Sequence, residues 1–244
     1  MKIIAGFGAF IKKYLFNRKW KCLACNKEIF DGDFCEKCYQ NLPFIKANKC
    51  AHCGRETKSP TDYCLTCKGN LTAIDGGASV FTYKKPISSL IQKLKYYNGR
   101  YLAEAFAEYL AALYNGLMFK ADVATYIPMT LKAEKKRRFN QSELLAKNFS
   151  ALTGVTAAGL LIKTSETAHQ VGLTAAERKR NLFSAFRVKD KKAVAGKNII
   201  VIDDVTTTGA TGEAVAEKLK KEGAKAVFLL TVASVPYEKE LQGE

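Results

Sequence analysis

Four aliphatic residues, Ile199, Ile200, Val201 and Ile202, lead into two acids, Asp203 and Asp204. Val205, Thr206, Thr207, Thr208, Gly209, Ala210 and Thr211 follow without a break. Successive backbone N–H groups of residues 205–211 can wrap a phosphate, with the dipole of a following helix behind them. Gly209 permits a backbone conformation that a Cβ forbids. The threonine hydroxyls add short donors. Asp203 and Asp204 repel a phosphate, so they must face something else. Two carboxylates beside a phosphate cradle suit a ribose diol, a magnesium ion, or both. The acids are expected to end the strand and point beyond it into water, so that neutralising both costs little stability.

The second set of chemical residues is eight cysteines, all between positions 22 and 67. They form four Cys-x2-Cys knuckles: Cys22 with Cys25, Cys35 with Cys38, Cys50 with Cys53, and Cys64 with Cys67. A two-residue gap lets both thiolates point at one ion, and two knuckles complete a tetrahedral zinc site. The pattern is an internal repeat, two near-copies of one knuckle–loop–knuckle unit. So short a segment cannot bury a large apolar core, and the metal supplies folding energy. Both sites are closed by four protein ligands, which marks them as structural rather than catalytic. Pairing of consecutive knuckles is the simplest assignment; interleaved pairing stays open. A dithiol redox role fits four knuckles less well. His52, inside the third knuckle, is expected to be packed or exposed rather than a ligand.

These residues need elements to hold them. The continuous β-branched run 199–202 reads as a central parallel strand covered on both faces. Residues 212–221 have helical spacing, so the Thr/Gly loop sits where a strand end meets a helix start, the place where open α/β sheets bind ligands. Strands are also predicted at 78–83, 121–128, 160–163 and 226–232, and helices at 86–95, 102–117 and 141–152. A helical patch falls at 175–180. Residues 132–140 read as a basic, mobile loop. Strand–helix alternation implies a parallel sheet flanked by helices. Three segments follow: a helix over 1–19, a double zinc-ribbon segment over 20–72, and an α/β domain over 75–240. The apolar stretch near the start is read as an amphipathic docking helix rather than a signal peptide. No linker rich in Pro, Gly or Ser appears, so the ribbon segment is expected to join the body closely.

The 244 residues carry 39 Lys/Arg against 23 Asp/Glu, a net charge of +16. Residues 1–74 hold 13 basic and 6 acidic residues, and the remainder 26 and 17. This excess points to a polyanionic partner. Lys132, Lys135, Lys136, Arg137 and Arg138 form the densest cluster, and Arg178, Lys179 and Arg180 a second. Lys93, Lys95, Tyr96, Tyr97, Arg100 and Tyr101 interleave cations with rings. Cations track phosphates and rings stack on bases, so this stretch suits single-stranded nucleic acid. The alternative is a helix end with snorkelling lysines and core tyrosines. No run of apolar residues is long enough to span a membrane.

The run from Val201 through Gly209 resembles the signature by which type I phosphoribosyltransferases bind phosphoribosyl pyrophosphate (PRPP). The resemblance implies that Asp203 and Asp204 hold the ribose hydroxyls, with Mg2+ on the pyrophosphate. It also implies that Thr206, Thr207, Thr208, Gly209, Ala210 and Thr211 hold the 5′-phosphate. Three more stretches narrow the family. They are Leu90 to Tyr96 with Gly99; Arg138-Phe139-Asn140-Gln141-Ser142 and on to Ala146; and Gln170-Val171-Gly172-Leu173 with Glu177, Arg178, Asn181, Ala185 and Phe186. Together with the paired zinc knuckles, they are similar to the ComF family of competence proteins. That resemblance implies a type I phosphoribosyltransferase-like fold behind a double zinc ribbon with four cysteines to each ion. It implies work on the cytoplasmic side, at the inner face of the membrane, as single-stranded DNA enters during natural transformation, with a DNA-translocating helicase as partner. Two departures stand out. Arg138 occupies a position where the family usually has Gly, and His169 precedes Gln170, where small residues or Pro are common. The likeness to glutamine-using amidophosphoribosyltransferases is narrower, because the cysteine-rich segment leaves no room for a glutaminase.

Three functions follow. The first is a PRPP-binding competence factor that handles single-stranded DNA through Lys93, Lys95, Tyr96, Tyr97, Arg100, Lys132, Lys135, Lys136, Arg137, Arg138 and Arg178. The second is an active phosphoribosyltransferase with an unidentified acceptor, in which Asp203 or Asp204 steadies an oxocarbenium-like ribose. The third is a zinc-ribbon adaptor with a vestigial nucleotide fold.

Overall fold

The computed structural model describes residues 21–46, 48–57, 63–64, 67–68, 73–165 and 181–236. The expected N-terminal helix, the helical patch at 175–180, His169 and Arg178 lie outside them. The chain divides into two compact units, Met1–Leu42 and Pro43–Glu244. One four-cysteine group falls in each.

In the first unit the N–H of Cys22 donates to Lys27 O and that of Asn26 to Cys22 O, closing a tight knuckle. Asn26 takes a left-handed conformation at φ 60°. A short helix, α1 (Glu36–Gln40), follows Cys35. The second group repeats the knuckle. Cys50 N–H donates to Arg55 O, Gly54 N–H donates to Cys50 O, and Gly54 stands at φ 68°. The internal repeat is therefore a repeat of backbone geometry as well as of cysteine spacing.

The second unit is built on a four-stranded parallel sheet. Its strands are β1 (Gly76–Thr82), β2 (Val123–Tyr126), β5 (Asn198–Thr206) and β6 (Ala226–Ser234), in the order β1-β6-β5-β2. The run at 199–202 is fully buried and flanked on both sides, as its continuous hydrophobicity requires. The unit's helices include α2 (Ile87–Tyr96), α3 (Leu102–Asn115), α4 (Leu131–Arg137), α5 (Gln141–Thr153) and α6 (Ala210–Lys221). α5 packs on β5, β2 and α3, and α6 packs on β6. Two short strands, β3 (Leu161–Lys163) and β4 (Phe186–Val188), pair antiparallel outside the main sheet. Sequence periodicity missed β4, which is too short to show a pattern.

Two findings matter for the site, and the first differs from expectation. The basic stretch at 132–140 is a helix, α4, over most of its length. The Thr130 hydroxyl caps it by accepting the N–H of Ala133. With no buried residue, α4 shows no apolar stripe for a sequence reading to find. Second, the Cys50 knuckle sits directly on the sheet. A Cβ on Gly77 in β1 would lie 2.8 Å from His52 O and 2.9 Å from Cys53 C. Just before it, residues 43–45 pair with β1 through Ile45 N–H to Val80 O and Thr82 N–H to Pro43 O. Phe44 packs on Phe81 at 4.8 Å between ring centroids.

Candidate functional site

β5 continues through Thr206, so Asp203 and Asp204 are strand residues and not the start of a loop. Neighbouring strand residues point to opposite faces, and the two acids meet different partners. Asp204 is 3% exposed. Lys95, in the last turn of α2, places Nζ 2.7 Å from Asp204 Oδ2, and Asp204 Oδ1 accepts the N–H of Val205 at 2.8 Å. Asp203 is half-buried, and its Oδ1 accepts from the Ser142 hydroxyl at 2.7 Å and from the N–H of Asp204 at 2.9 Å. The expectation of water-facing acids is thus corrected. The strand is longer than its aliphatic run, and its last residues are covered by α2 and α5.

Ser142 is aimed by its helix start. Asn140 is the N-cap of α5, its side-chain oxygen accepting the N–H of Ser142 at 2.9 Å and of Glu143 at 3.4 Å. The Asn140 amide nitrogen donates to Ile127 O at 3.0 Å, just beyond β2, the neighbour of β5. One asparagine therefore fixes both the helix entry and its height over the strand ends.

Burial and the neighbouring charge of Asp204 push the Asp203 carboxyl up to about 7, against the pull of the Ser142 hydrogen bond and of Lys95. For Lys95, burial works downward, but the charge of Asp204 outweighs it and holds the ammonium above the usual lysine range. One acid is paired with a cation, and the other, Asp203, is poised to exchange a proton near neutrality.

The loop after β5 is short. Gly209, at φ 81°, is the N-cap of α6, and the Thr208 hydroxyl accepts the N–H of Ala210 at 3.4 Å. Thr207, Thr208 and Ala210 are exposed, while Gly209 and Thr211 are half-buried. The first N–H groups of α6 have no earlier carbonyl within the helix, which makes this an anion-ready end. Val205 differs from expectation: its N–H is turned to Asp204, and Thr206 is a buried strand residue paired with Ser234. The stretch left open to a ligand begins at Thr207. One turn into α6, Glu213 accepts the N–H of Ala73, and its other oxygen lies 3.7 Å from His52 Nε2. His52 accordingly turns to α6, outside the set of four thiols, as the sequence reading expects.

The basic and aromatic residues gather from two stretches of chain. Tyr96 and Tyr97 are 65% and 72% exposed, which removes the alternative of core tyrosines. The Arg137 guanidinium lies over the Tyr96 ring at 5.0 Å, and that of Arg100 over Phe139 at 4.7 Å. Arg100 also donates to Arg138 O at 3.4 Å, and Lys93 stands 5.5 Å from the Tyr101 ring. Lys132, Lys135, Lys136 and Arg138 are exposed. Lys95 is the exception, its ammonium given to Asp204. Arg137 also donates to Gln141 Oε1 at 2.6 Å, and Gln141 precedes Ser142. So the exposed surface and the acidic pair share walls: Tyr96 beside Lys95, and Gln141 beside Ser142. Sequence reasoning missed Ser142 and the true partner of Lys95. Asn140 at a helix start was the available signal.

The thiols form two groups, Cys22, Cys25, Cys35 and Cys38, and Cys50, Cys53, Cys64 and Cys67, with all sulfurs of a group within 4.8 Å of one another. Cys25 Sγ and Cys35 Sγ are 3.8 Å apart, as are Cys53 Sγ and Cys64 Sγ. Tetrahedral zinc with bonds of about 2.3 Å separates its sulfurs by about 3.8 Å, so both groups fit the ion. The geometry pairs consecutive knuckles and excludes interleaving.

A parallel sheet with an acidic strand end, a Thr/Gly turn and a helix start defines a phosphoribosyltransferase-type domain, here joined to two four-cysteine zinc ribbons. Residues 98–242 match the phosphoribosyl transferase domain family, and residues 12–71 match the double zinc ribbon domain. Competence protein F of Haemophilus influenzae is 26% identical over 217 residues, covering 85% of this chain and 94% of that one. The DNA utilization protein YhgH of Salmonella typhimurium is 30% identical over 189 residues, covering 75% and 82%. Competence protein ComFC of Bacillus subtilis is 27% identical over 214 residues, covering 85% of each chain. The chain belongs to the ComF family of competence proteins.

Proposed function

We propose that this protein binds PRPP with Mg2+ at Asp203, Asp204 and residues 207–211, and handles single-stranded DNA on the adjoining surface. The observation that carries the reading is the shared wall. Residues 93–101 and 132–139, distant in sequence, meet through Arg137 on Tyr96; the first segment holds Lys95 on Asp204, and Arg137 of the second binds Gln141, the neighbour of the Ser142 that donates to Asp203. Ribose hydroxyls would be held by the two carboxylates, and the 5′-phosphate by the first turn of α6. Exposed tyrosines flanked by arginines supply stacking faces and phosphate contacts. In this reading the protein works on the cytoplasmic side of the membrane beside a DNA-translocating helicase. Among the described residues no helix is long and apolar enough to cross a membrane.

The test is a pair of titrations on the full chain. PRPP with Mg2+ should bind, and Asp203→Asn should weaken that binding. Oligo-dT should bind more tightly than a duplex of equal length, with affinity falling steeply between low and moderate salt. Loss of stacking in Tyr96→Ala and Tyr97→Ala should each cost about 1–3 kcal/mol. Wild-type affinity in both tyrosine variants would sink the DNA half of the reading.

The poised carboxyl of Asp203 favours a second reading, turnover by a phosphoribosyltransferase. A group that exchanges its proton near neutrality can take one from an attacking nucleophile. Release of pyrophosphate from PRPP in the presence of an acceptor, lost in Asp203→Asn, is its assay.

A further inference from the structure

Lys95 is a cation already seated where a divalent ion would have to go. Its ammonium lies 2.7 Å from Asp204 Oδ2, with the carboxylate side chain 4% exposed and the lysine side chain 22% exposed. A divalent cation taking that oxygen would stand within a few ångströms of the ammonium, and two positive charges so close in a poorly hydrated site repel strongly. One must leave. Lys95 has a way out, since it belongs to the last turn of α2, carries a flexible four-carbon stem, and precedes the exposed Tyr96. The outward position has an occupant of like sign. Arg137 sits on the Tyr96 ring, and its charge bears on Lys95. With the surface bare, the charge of Arg137 would add to the hold that Asp204 has on Lys95. A polyanion on the surface would neutralise Arg137 and offer the released ammonium a partner.

We propose that Lys95 is a positioning residue that alternates between Asp204 and the basic surface, so that a polyanion on that surface and a divalent cation at the acidic pair each strengthen the binding of the other. This rests on the reading of Asp203 and Asp204 as the cation-side groups of a PRPP site, and it adds the coupling. Linkage is reciprocal, so the same factor must appear whichever ligand is varied.

The experiment uses the full zinc-loaded chain with Mn2+ alone as the cation probe and oligo-dT as the polyanion. In wild type, saturating oligo-dT should tighten Mn2+ binding by about fivefold or more, the lower range of measured couplings. Lys95→Met should bind Mn2+ about tenfold more tightly than wild type without DNA, and should no longer respond to oligo-dT. Its melting temperature should fall without metal and recover with Mn2+, while Lys95→Arg behaves as wild type. Wild-type Mn2+ affinity and oligo-dT response in Lys95→Met would overturn the proposal. If Lys95→Met does not fold even with Mn2+, the wild-type arm decides, and bound oligo-dT that leaves Mn2+ affinity unchanged overturns it. PRPP and oligo-dT titrations run alongside keep the two ideas apart. Failure of wild type to bind PRPP defeats that reading while the Mn2+ results still judge Lys95. Failure to bind oligo-dT defeats the DNA reading and the coupling together. Binding of both without linkage defeats the coupling alone.

Discussion

Asp203 and Asp204 are adjacent in sequence, yet the strand sends one to a serine hydroxyl and the other to a lysine ammonium. Their responses to substitution should therefore diverge. An unfolded aspartate titrates near about 3.9, whereas Asp203 in the folded chain lies at about 7. Below pH about 4 both states hold the proton. Between about 4 and 7 the unfolded chain gives it up first, so stability present at low pH is lost as pH rises through the folded value. Asp203→Asn should flatten melting temperature against pH across that window and gain up to about 4 kcal/mol above it. A pH profile as steep as wild type would show that another group titrates there. Asp204→Asn should instead lower stability, because it strands a half-buried ammonium. Breaking one side of such a pair costs about 3 kcal/mol, and Lys95→Met with Asp204→Asn should recover much of it. Chemical denaturation of the three variants measures this. The sequence showed both acids but not this asymmetry, which depends on a lysine more than a hundred residues away and on the height of α5.

At the scale of elements, helix ends do the positioning. α4 ends on Arg138 at φ 70°, a conformation that costs an L-residue about 1 kcal/mol or more. That geometry suits the glycine which the family resemblance leads one to expect at this position. Arg138→Gly should raise stability by about 1 kcal/mol, read as a higher denaturation midpoint, and lower nucleic-acid affinity by removing a surface charge. Asn140→Ala should cost about 1 kcal/mol for the lost cap. It should also shift the Asp203 titration, because Ser142 loses its fixed aim; a normal titration would separate cap from site. The long amphipathic helices α2, α3 and α5 and the strands β5 and β6 were legible because each buries a periodic or continuous apolar face. α4 was not, having no buried residue, and the true end of β5 was not, because the covering that buries Asp204 comes from other elements. The N-terminal cap of α6 fell two residues earlier than its helical spacing indicated, since Gly209 rather than Thr211 makes the turn.

For the whole molecule, the two four-cysteine groups lie in different compact units, and their loss should not be equivalent. About two zinc ions per chain are expected, since each set of four thiols completes one tetrahedron. Cys22→Ser with Cys25→Ser should halve the zinc content and leave the melting of the phosphoribosyltransferase-type body as it was. Cys50→Ser with Cys53→Ser should also halve it, but should lower that melting temperature, because β1 rests on the backbone at His52 and Cys53. Equal melting in both variants would mean that the second ribbon adds nothing to the sheet. The cysteine spacing displayed the repeat openly. It gave no sign that the copies belong to different bodies, because that division rests on the close approach at Gly77 and on the pairing of residues 43–45 with β1.

That close approach bears on how the two copies drift over generations. The knuckle at Cys50 must preserve a left-handed Gly54, a bare Gly77 beneath it, and His52 facing Glu213. The knuckle at Cys22 meets its left-handed position with an asparagine, and its tip leaves Phe30 wholly in solvent. Two knuckles of like spacing thus answer to different demands. Among descendants of a common ancestor, substitutions, insertions and outright deletion should accumulate in the first ribbon, while the second changes only in step with the sheet that carries it.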